Sequence, residues 1–328
     1  MKVTKHQAFD FVSKYALVFI LIMLIVFFAL SSPFFLTPTN AINIARQVSI
    51  IGICAVGMTF VILTGGIDLS TGSIIGVAAG ITARLMLLDY NPVLATAIAI
   101  LSGVVFGLIN GFFINKLSIP PLITTLGSMT ALRGVTMLLT DGKGVTIQNR
   151  SYAVIGQGYL FENALGSSIP VPVVIMVFAF IMGYIILEKT KLGRYVYGVG
   201  DNEEATRLSG VNVQKVKYSV YAFSGLLSAI AGIVAVSRLM SAQPTTGDGY
   251  ELQIITAVVL GGVSIKGGEG RIAFVIIGVF IMGVLANGMI MLNIQAFYQL
   301  VVRGCVLLLA VSYDRLMEKQ RAKMLSAK

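Results

Sequence analysis

Charge is scarce in this chain. Asp, Glu, Lys and Arg make up only 12% of its 328 residues, against about 25% in a soluble domain. With 56% hydrophobic residues and a mean hydropathy of +0.90, a fold in water could not cover its apolar surface. The surrounding solvent is a bilayer. Histidine occurs once, as His6 in the N-terminal tail, and no His/Cys/Asp/Glu group has metal-ligand spacing, so no metal site is expected. The two cysteines, Cys54 and Cys305, lie in apolar segments and read as small hydrophobes rather than a disulfide framework. There is no G-x-x-x-x-G-K-[ST] loop to cradle ATP phosphates, no G-x-S-x-G elbow and no H-E-x-x-H helix. Leu208-Ser209-Gly210 opens like an ATPase signature but continues Val211-Asn212. We therefore expect no catalytic residues, no cofactor and no enzyme.

The formal charge of +10 points away from nucleic acid once the positions are considered. Basic residues collect in the two tails and in one loop, which is the positive-inside pattern of a polytopic membrane protein. On a ruler of about 20 apolar residues per crossing, ten spans are expected, at 15–31, 48–64, 72–89, 93–114, 121–140, 171–187, 218–237, 253–264, 272–292 and 296–313. The apolar run at 15–30 is long for a signal peptide and lacks an A-x-A site, so it reads as an uncleaved first span. Lys2, Lys5 and Lys14 place the N-terminus in the cytoplasm, and Arg315, Lys319, Arg321, Lys323 and Lys328 place the C-terminus there. The expected layout is an all-α polytopic membrane protein: a cytoplasmic tail at 1–14, a transmembrane domain at 15–313 and a second cytoplasmic tail at 314–328. The outer loop 141–170 contains one glycosylation-type match, Asn149-Arg150-Ser151, which is weak evidence on its own.

Glycines recur every four residues within the spans: Gly72, Gly76 and Gly80 on one, Gly103, Gly107 and Gly111 on the next. Such stripes let helix backbones approach closely in lipid. Two Gly-Gly breaks, at 63–72 and 260–270, resemble each other like a faint internal repeat. Broken helices in matching halves of a transporter point to its pathway. Gly65, Gly66, Asp68 and Ser70 of the first break are candidate pathway residues. Asp68 either lies deep and needs a partner, or sits at the interface and caps the helix starting at 71 or 72. Asn110 and Asn287, each preceding a glycine inside a span, either bond across helices or face a polar substrate. The loop 243–252 is read as outward. It is either a plain turn or a contact for an outside partner through Gln243, Thr245, Tyr250 and Glu251.

The longest polar run between apolar blocks is 188–217, with Lys189, Lys191, Arg194, Arg207, Lys215 and Lys217. Six spans precede it, which puts it in the cytoplasm. Gly193, Gly198 and Gly200 loosen its entry, and a short helix follows over 201–208. Asp201 or Asn202 is its N-cap, Glu203 and Glu204 occupy its first turn, Ala205 and Thr206 its middle, Arg207 and Leu208 its last turn. Ser209 follows, and Gly210 closes the helix with positive φ. Two turns do not hold alone in water, so this helix packs against something.

Thr190-Lys191-Leu192-Gly193-Arg194 and Gly200-Asp201-Asn202-Glu203-Glu204-Ala205-Thr206-Arg207-Leu208-Ser209-Gly210 resemble the cytoplasmic loop of sugar-importing ABC permeases. The runs from Gly57 to Ser70, Leu132-Arg133-Gly134-Val135-Thr136-Met137, Gly249-Tyr250-Glu251-Leu252 and Val258-Val259-Leu260-Gly261-Gly262 are similar too. Ser241-Ala242-Gln243-Pro244-Thr245 is most similar to the ribose-type members. Thr71 departs from a common Val, and Asp201 from a frequent Gly. The resemblance implies the ABC importer permease fold in the bacterial cytoplasmic (inner) membrane. It implies two copies, or a heterodimer with a paralogous permease, a cytosolic ABC ATPase subunit docking on 201–210, and an extracytoplasmic sugar-binding protein. The cargo implied is ribose, or another pentose, a hexose or a small polyol. An ion-coupled secondary transporter is the rival from another class. It would place several acids or a His in the spans. A membrane-embedded structural or signalling protein gives no reason for the capped cytosolic helix.

Overall fold

A computed structural model describes residues 5–160 and 169–326. Lys2, Lys328 and residues 161–168 of the loop expected on the outer side fall outside them. The helices are α1 (Lys5–Ser31), α2 (Pro38–Leu63), α3 (Thr71–Leu87), α4 (Pro92–Lys116), α5 (Pro121–Leu139), a small α6 (Ala153–Gln157), α7 (Val171–Lys189), α8 (Lys191–Asp201), α9 (Glu203–Leu208), α10 (Val213–Leu239), α11 (Tyr250–Leu260), α12 (Ile272–Met291) and α13 (Ala296–Ser326). Among the described residues, seven helices are long and apolar enough to cross a bilayer: α2, α4, α5, α7, α10, α12 and the first part of α13. The apolar part of α1 at Leu17–Ser31, with α3 and α11, forms three shorter apolar helices that fall in three further expected spans.

The starts are locally encoded. Pro38, Pro92, Pro121 and Pro172 stand in the first turns of α2, α4, α5 and α7, where no backbone N–H is needed. The side chains of Thr37 and Asn91 accept from Asn40 N and Val93 N to cap α2 and α4. From Val48 to Leu63, α2 is buried on every side. Such a helix belongs at the centre, and its hydroxyls are satisfied internally: Thr59 Oγ1 donates to Ala55 O at 2.7 Å. Helix α10 packs against α2, α3 and α4. The outward sides of α1, α4, α7 and α13 carry exposed Phe19, Leu101, Phe178 and Leu308, apolar faces that the chain does not cover by itself. Two-residue ladders pair Val145–Thr146 (β1) with Ser241–Ala242 (β4), and Tyr159–Leu160 (β2) with Ile169–Pro170 (β3).

The glycine stripes find different partners. That of α4 meets α10: a Cβ on Gly103 would strike Gly225 O and the Ala229 methyl, and one on Gly107 would strike Tyr221 O. That of α3 meets α5 and the loop before α11, with Thr136 and Leu139 against Gly76 and Gly80. Gly103→Val is therefore expected to force α4 from α10, an overpacking cost of at least about 1–3 kcal/mol. Size-exclusion in mild detergent should show loss of the monodisperse peak. Gly127→Ala, where a Cβ meets nothing within 4 Å, should keep it.

Two expectations are corrected. The entry at 190–200 is not loose, because Lys191–Asp201 is a helix. The eighth span starts earlier and is shorter than a crossing: α11 has 11 residues, about 16 Å at 1.5 Å per residue. Helices α1 and α13 run through the expected tail boundaries at 14/15 and 313/314.

Candidate functional site

Three places collect the candidate residues. The first is a seam where both Gly-Gly breaks meet. Gly65, with φ +76, turns the chain after α2, leaving Leu63 O without a helical partner. Gly268 N of the second break donates to that carbonyl at 2.9 Å. Gly267, φ +91, packs directly on Gly65. The last turn of α8 is wedged onto this junction, because a Cβ at Gly200 would collide with Leu63 O and Gly268 N. Tyr197 Oη donates to Gly270 O at 3.0 Å. Burial, with Glu188 nearby, pushes the Tyr197 phenol above its ordinary value, so it stays a donor at neutral pH.

Asp201 thus ends α8 and is not the first residue of the short helix. Asn202 is its cap, with Oδ1 accepting from Ala205 N at 2.9 Å. The short helix α9 has no buried residue. Glu204 and Arg207 pair at 2.7 Å on its surface, and Glu203 pairs with Lys217 of α10 at 2.7 Å. The neighbouring Glu204 raises the Arg207 guanidinium further. Thr206 lies against Gly198, Ser209 Oγ donates to Ala205 O at 2.9 Å, and Gly210 closes with φ +85. Leu208 is 79% exposed, an apolar side chain offered to solvent.

The second place is a buried polar hub. Asp68 is fully buried. Its Oδ1 accepts from Ser70 N at 3.0 Å and Ser70 Oγ at 2.6 Å, and its Oδ2 accepts from Ser224 Oγ of α10 at 2.9 Å. Asn110 Nδ2 of α4 donates to Ser70 Oγ at 2.9 Å, and Ser128 Oγ of α5 donates to Asn110 Oδ1 at 2.5 Å. Asp68 is therefore buried and partnered; it does not cap α3, whose N-cap is Ser70. Gly66 lies against Tyr221 Oη, which is buried without a hydrogen-bond partner. Asn287 is not part of this hub. It exchanges amide hydrogen bonds of 3.0 and 2.9 Å with Asn40, tying α12 to α2. Ser128, Ser224 and Tyr221 carried no sequence signal, since isolated hydroxyls in apolar helices usually bond back to their own backbone.

The third place is the loop before α11. Gln243 and Thr245 are exposed, and Gln243 Nε2 donates to Ser241 Oγ at 2.7 Å. The chain then turns inward instead of staying outside. Thr246 O and Gly247 O pack on Gly76 and Gly72, where the missing Cβ atoms leave room. Tyr250 is half-buried, near Arg238 and Arg303. Glu251 is buried, which removes it from any outside surface.

A family model described as the permease component of branched-chain amino acid transport systems matches residues 40–311. The chain belongs to this permease family. The Bacillus subtilis (strain 168) ribose import permease protein RbsC is 46% identical over 297 residues, 90% of each chain. The Escherichia coli (strain K12) L-arabinose transport system permease protein AraH is 42% identical over 310 residues, 94% of this chain and 92% of the relative. The D-allose transport system permease protein AlsC of the same organism is 36% identical over 314 residues, 94% of each. No solved structure matches. This permease is a multi-pass membrane protein and a transport subunit. Its seam, buried hub and inward-turned loop all fall within the matched residues.

Proposed function

We propose that this permease is the membrane subunit of an ABC importer carrying ribose, or a similar pentose, hexose or polyol, into the bacterial cytoplasm. The observation that carries the reading is α9: a capped helix without buried residues, seated next to the seam of both breaks. A chain without a phosphate loop needs its energy from another subunit, and α9 is the element built to receive it. The relatives named for ribose, arabinose and allose support a monosaccharide cargo.

In this reading ten apolar segments form the membrane body, α11 being too short to cross by itself, both termini lie in the cytoplasm, and 188–217 is the coupling loop of a permease domain over 15–313. Two copies, or this chain and a paralogous permease, form the pathway. A cytosolic ATPase subunit docks on α9 through Leu208 and the charges of 201–210. An external sugar-binding protein meets the outer side, where Gln243 and Thr245 are exposed. ATP-driven movement of α9 passes through the last turn of α8 to Leu63 and Gly268, the ends of α2 and of the break after α11. ATP biases the two access states only through such differential contacts.

The test is uptake of labelled ribose in cells lacking other routes, with competing pentoses and hexoses, joined to copurification in mild detergent. Ribose uptake that needs this chain, with an ATPase subunit retained on the tagged permease, is the expected result. Failure to retain an ATPase under any condition sinks the reading.

A further inference from the structure

Two helices begin inside the molecule and face each other. The N-terminus of α3 follows Ser70, and that of α11 follows Gly249; neither residue places a side chain on the free N–H groups. The two ends meet where Glu251, in the first turn of α11, lies against Gly72 in the first turn of α3. A Cβ at Gly72 would collide with Glu251 Oε2. Glu251 is 7% exposed, and its Oε2 has no hydrogen-bond partner. A buried carboxylate oxygen left open in a membrane protein is costly and marks a functional position.

Arg133 of α5 closes the group. Its Nη2 lies 3.0 Å from Asp248 Oδ1, and its Nη1 donates to Thr246 O at 3.4 Å. The Asp248 side chain is 64% exposed and that of Arg133 17%, so the group opens beside α5. The edge of α5 at that opening carries exposed Gly127, Thr130 and Gly134. A shallow depression of about 630 Å³, lined by Ala131, Gly134, Met137 and Asp141 among others, continues along it.

The charges nearly cancel. Arg133 contributes one positive charge, Asp248 and Glu251 two negative ones, and the two helix ends about half a positive charge each. An anion would need the guanidinium free of Asp248, and a cation would need carboxylates without the helix ends. What remains is a compact set of donors and acceptors, which matches the hydroxyls of a neutral polyol. We propose that Arg133, Asp248 and Glu251, with the facing ends of α3 and α11, form a transient subsite for vicinal hydroxyls of the sugar in transit. This deepens the importer reading and rests on it.

The experiment uses vesicles carrying the permease with its ATPase and binding-protein partners, and labelled D-ribose, L-arabinose and D-allose as probes. Glu251→Gln should lower ribose uptake at least tenfold, while ATP hydrolysis stimulated by the binding protein and the thermal midpoint persist. Arg133→Lys, which keeps the charge but loses the fork, should change the ratio of the three uptake rates. Glu251→Gln uptake within twofold of wild type overturns the subsite. So does lost uptake with a collapsed thermal midpoint and an unchanged sugar ratio in Arg133→Lys. Wild-type uptake that depends on external Na⁺, with the dependence gone in Glu251→Gln, overturns it in favour of a cation site. Wild-type vesicles that import none of the three sugars overturn the importer reading itself, whereas active wild type with equally active Glu251→Gln overturns the subsite alone.

Discussion

Glu204→Lys combined with Arg207→Glu is expected to abolish ATP-driven sugar uptake and leave the membrane body folded. The swapped residues can still pair at i, i+3, as Glu204 and Arg207 do now at 2.7 Å. An exposed pair of this kind, screened by solvent, contributes little to stability. No residue of α9 is buried, so nothing in the core moves. A partner surface shaped to the present charges meets like charges instead, at a cost of several kcal/mol, and about 1.4 kcal/mol is already tenfold in affinity. The readouts are uptake, ATPase copurification and the elution position of the detergent-solubilised permease. Lost uptake with unchanged elution supports docking on α9; unchanged uptake ends the coupling role. Leu208→Ala gives an independent check, since that side chain touches solvent and not the fold. It should weaken ATPase retention without lowering the thermal midpoint.

Asp68→Ala should have the largest effect on stability. It strips the acceptor from Ser70 N, Ser70 Oγ and Ser224 Oγ, all buried. Each unsatisfied donor costs about 1–3 kcal/mol, and whole domains are stable by only about 5–15 kcal/mol. We expect loss of monodisperse protein, or a steep fall in the thermal midpoint in detergent. Asp68→Asn should recover most of it. The amide keeps one acceptor for Ser70, and the Ser224 hydroxyl can rotate to accept from the new NH₂. An Asp68→Ala protein as heat-resistant as wild type would show that the hub does not tie α3, α4, α5 and α10 together.

What was readable along the chain was local. A short capped helix over 201–208 followed from Asp201 or Asn202, the two acids, Arg207 and Gly210, because capping acts within one turn; the structure starts it at Glu203, with Asn202 as the cap. The Gly-Gly pairs marked where helices stop. By contrast α8 was hidden, since Gly193, Gly198 and Gly200 in eleven residues argue against a helix. Burial of Val196 and Val199, and the need for a backbone without Cβ against Leu63, override that propensity. The inward turn after Gln243 was hidden as well. Thr246, Gly247, Asp248 and Gly249 read as a surface loop, and only the groove offered by Gly72 and Gly76 draws them in.

The amino-acid sequence by itself determined the solvent, the helical class, the short capped helix and the family, because hydropathy, caps and motifs are properties of neighbouring residues. Only the tertiary structure decided which polar groups share a site. It joined Asp68 to Ser224 across 156 positions and Asn40 to Asn287 across 247, and it set Glu251 against Gly72. A buried polar group must find its partner wherever the packing of apolar helices brings one, and no local pattern records that distance.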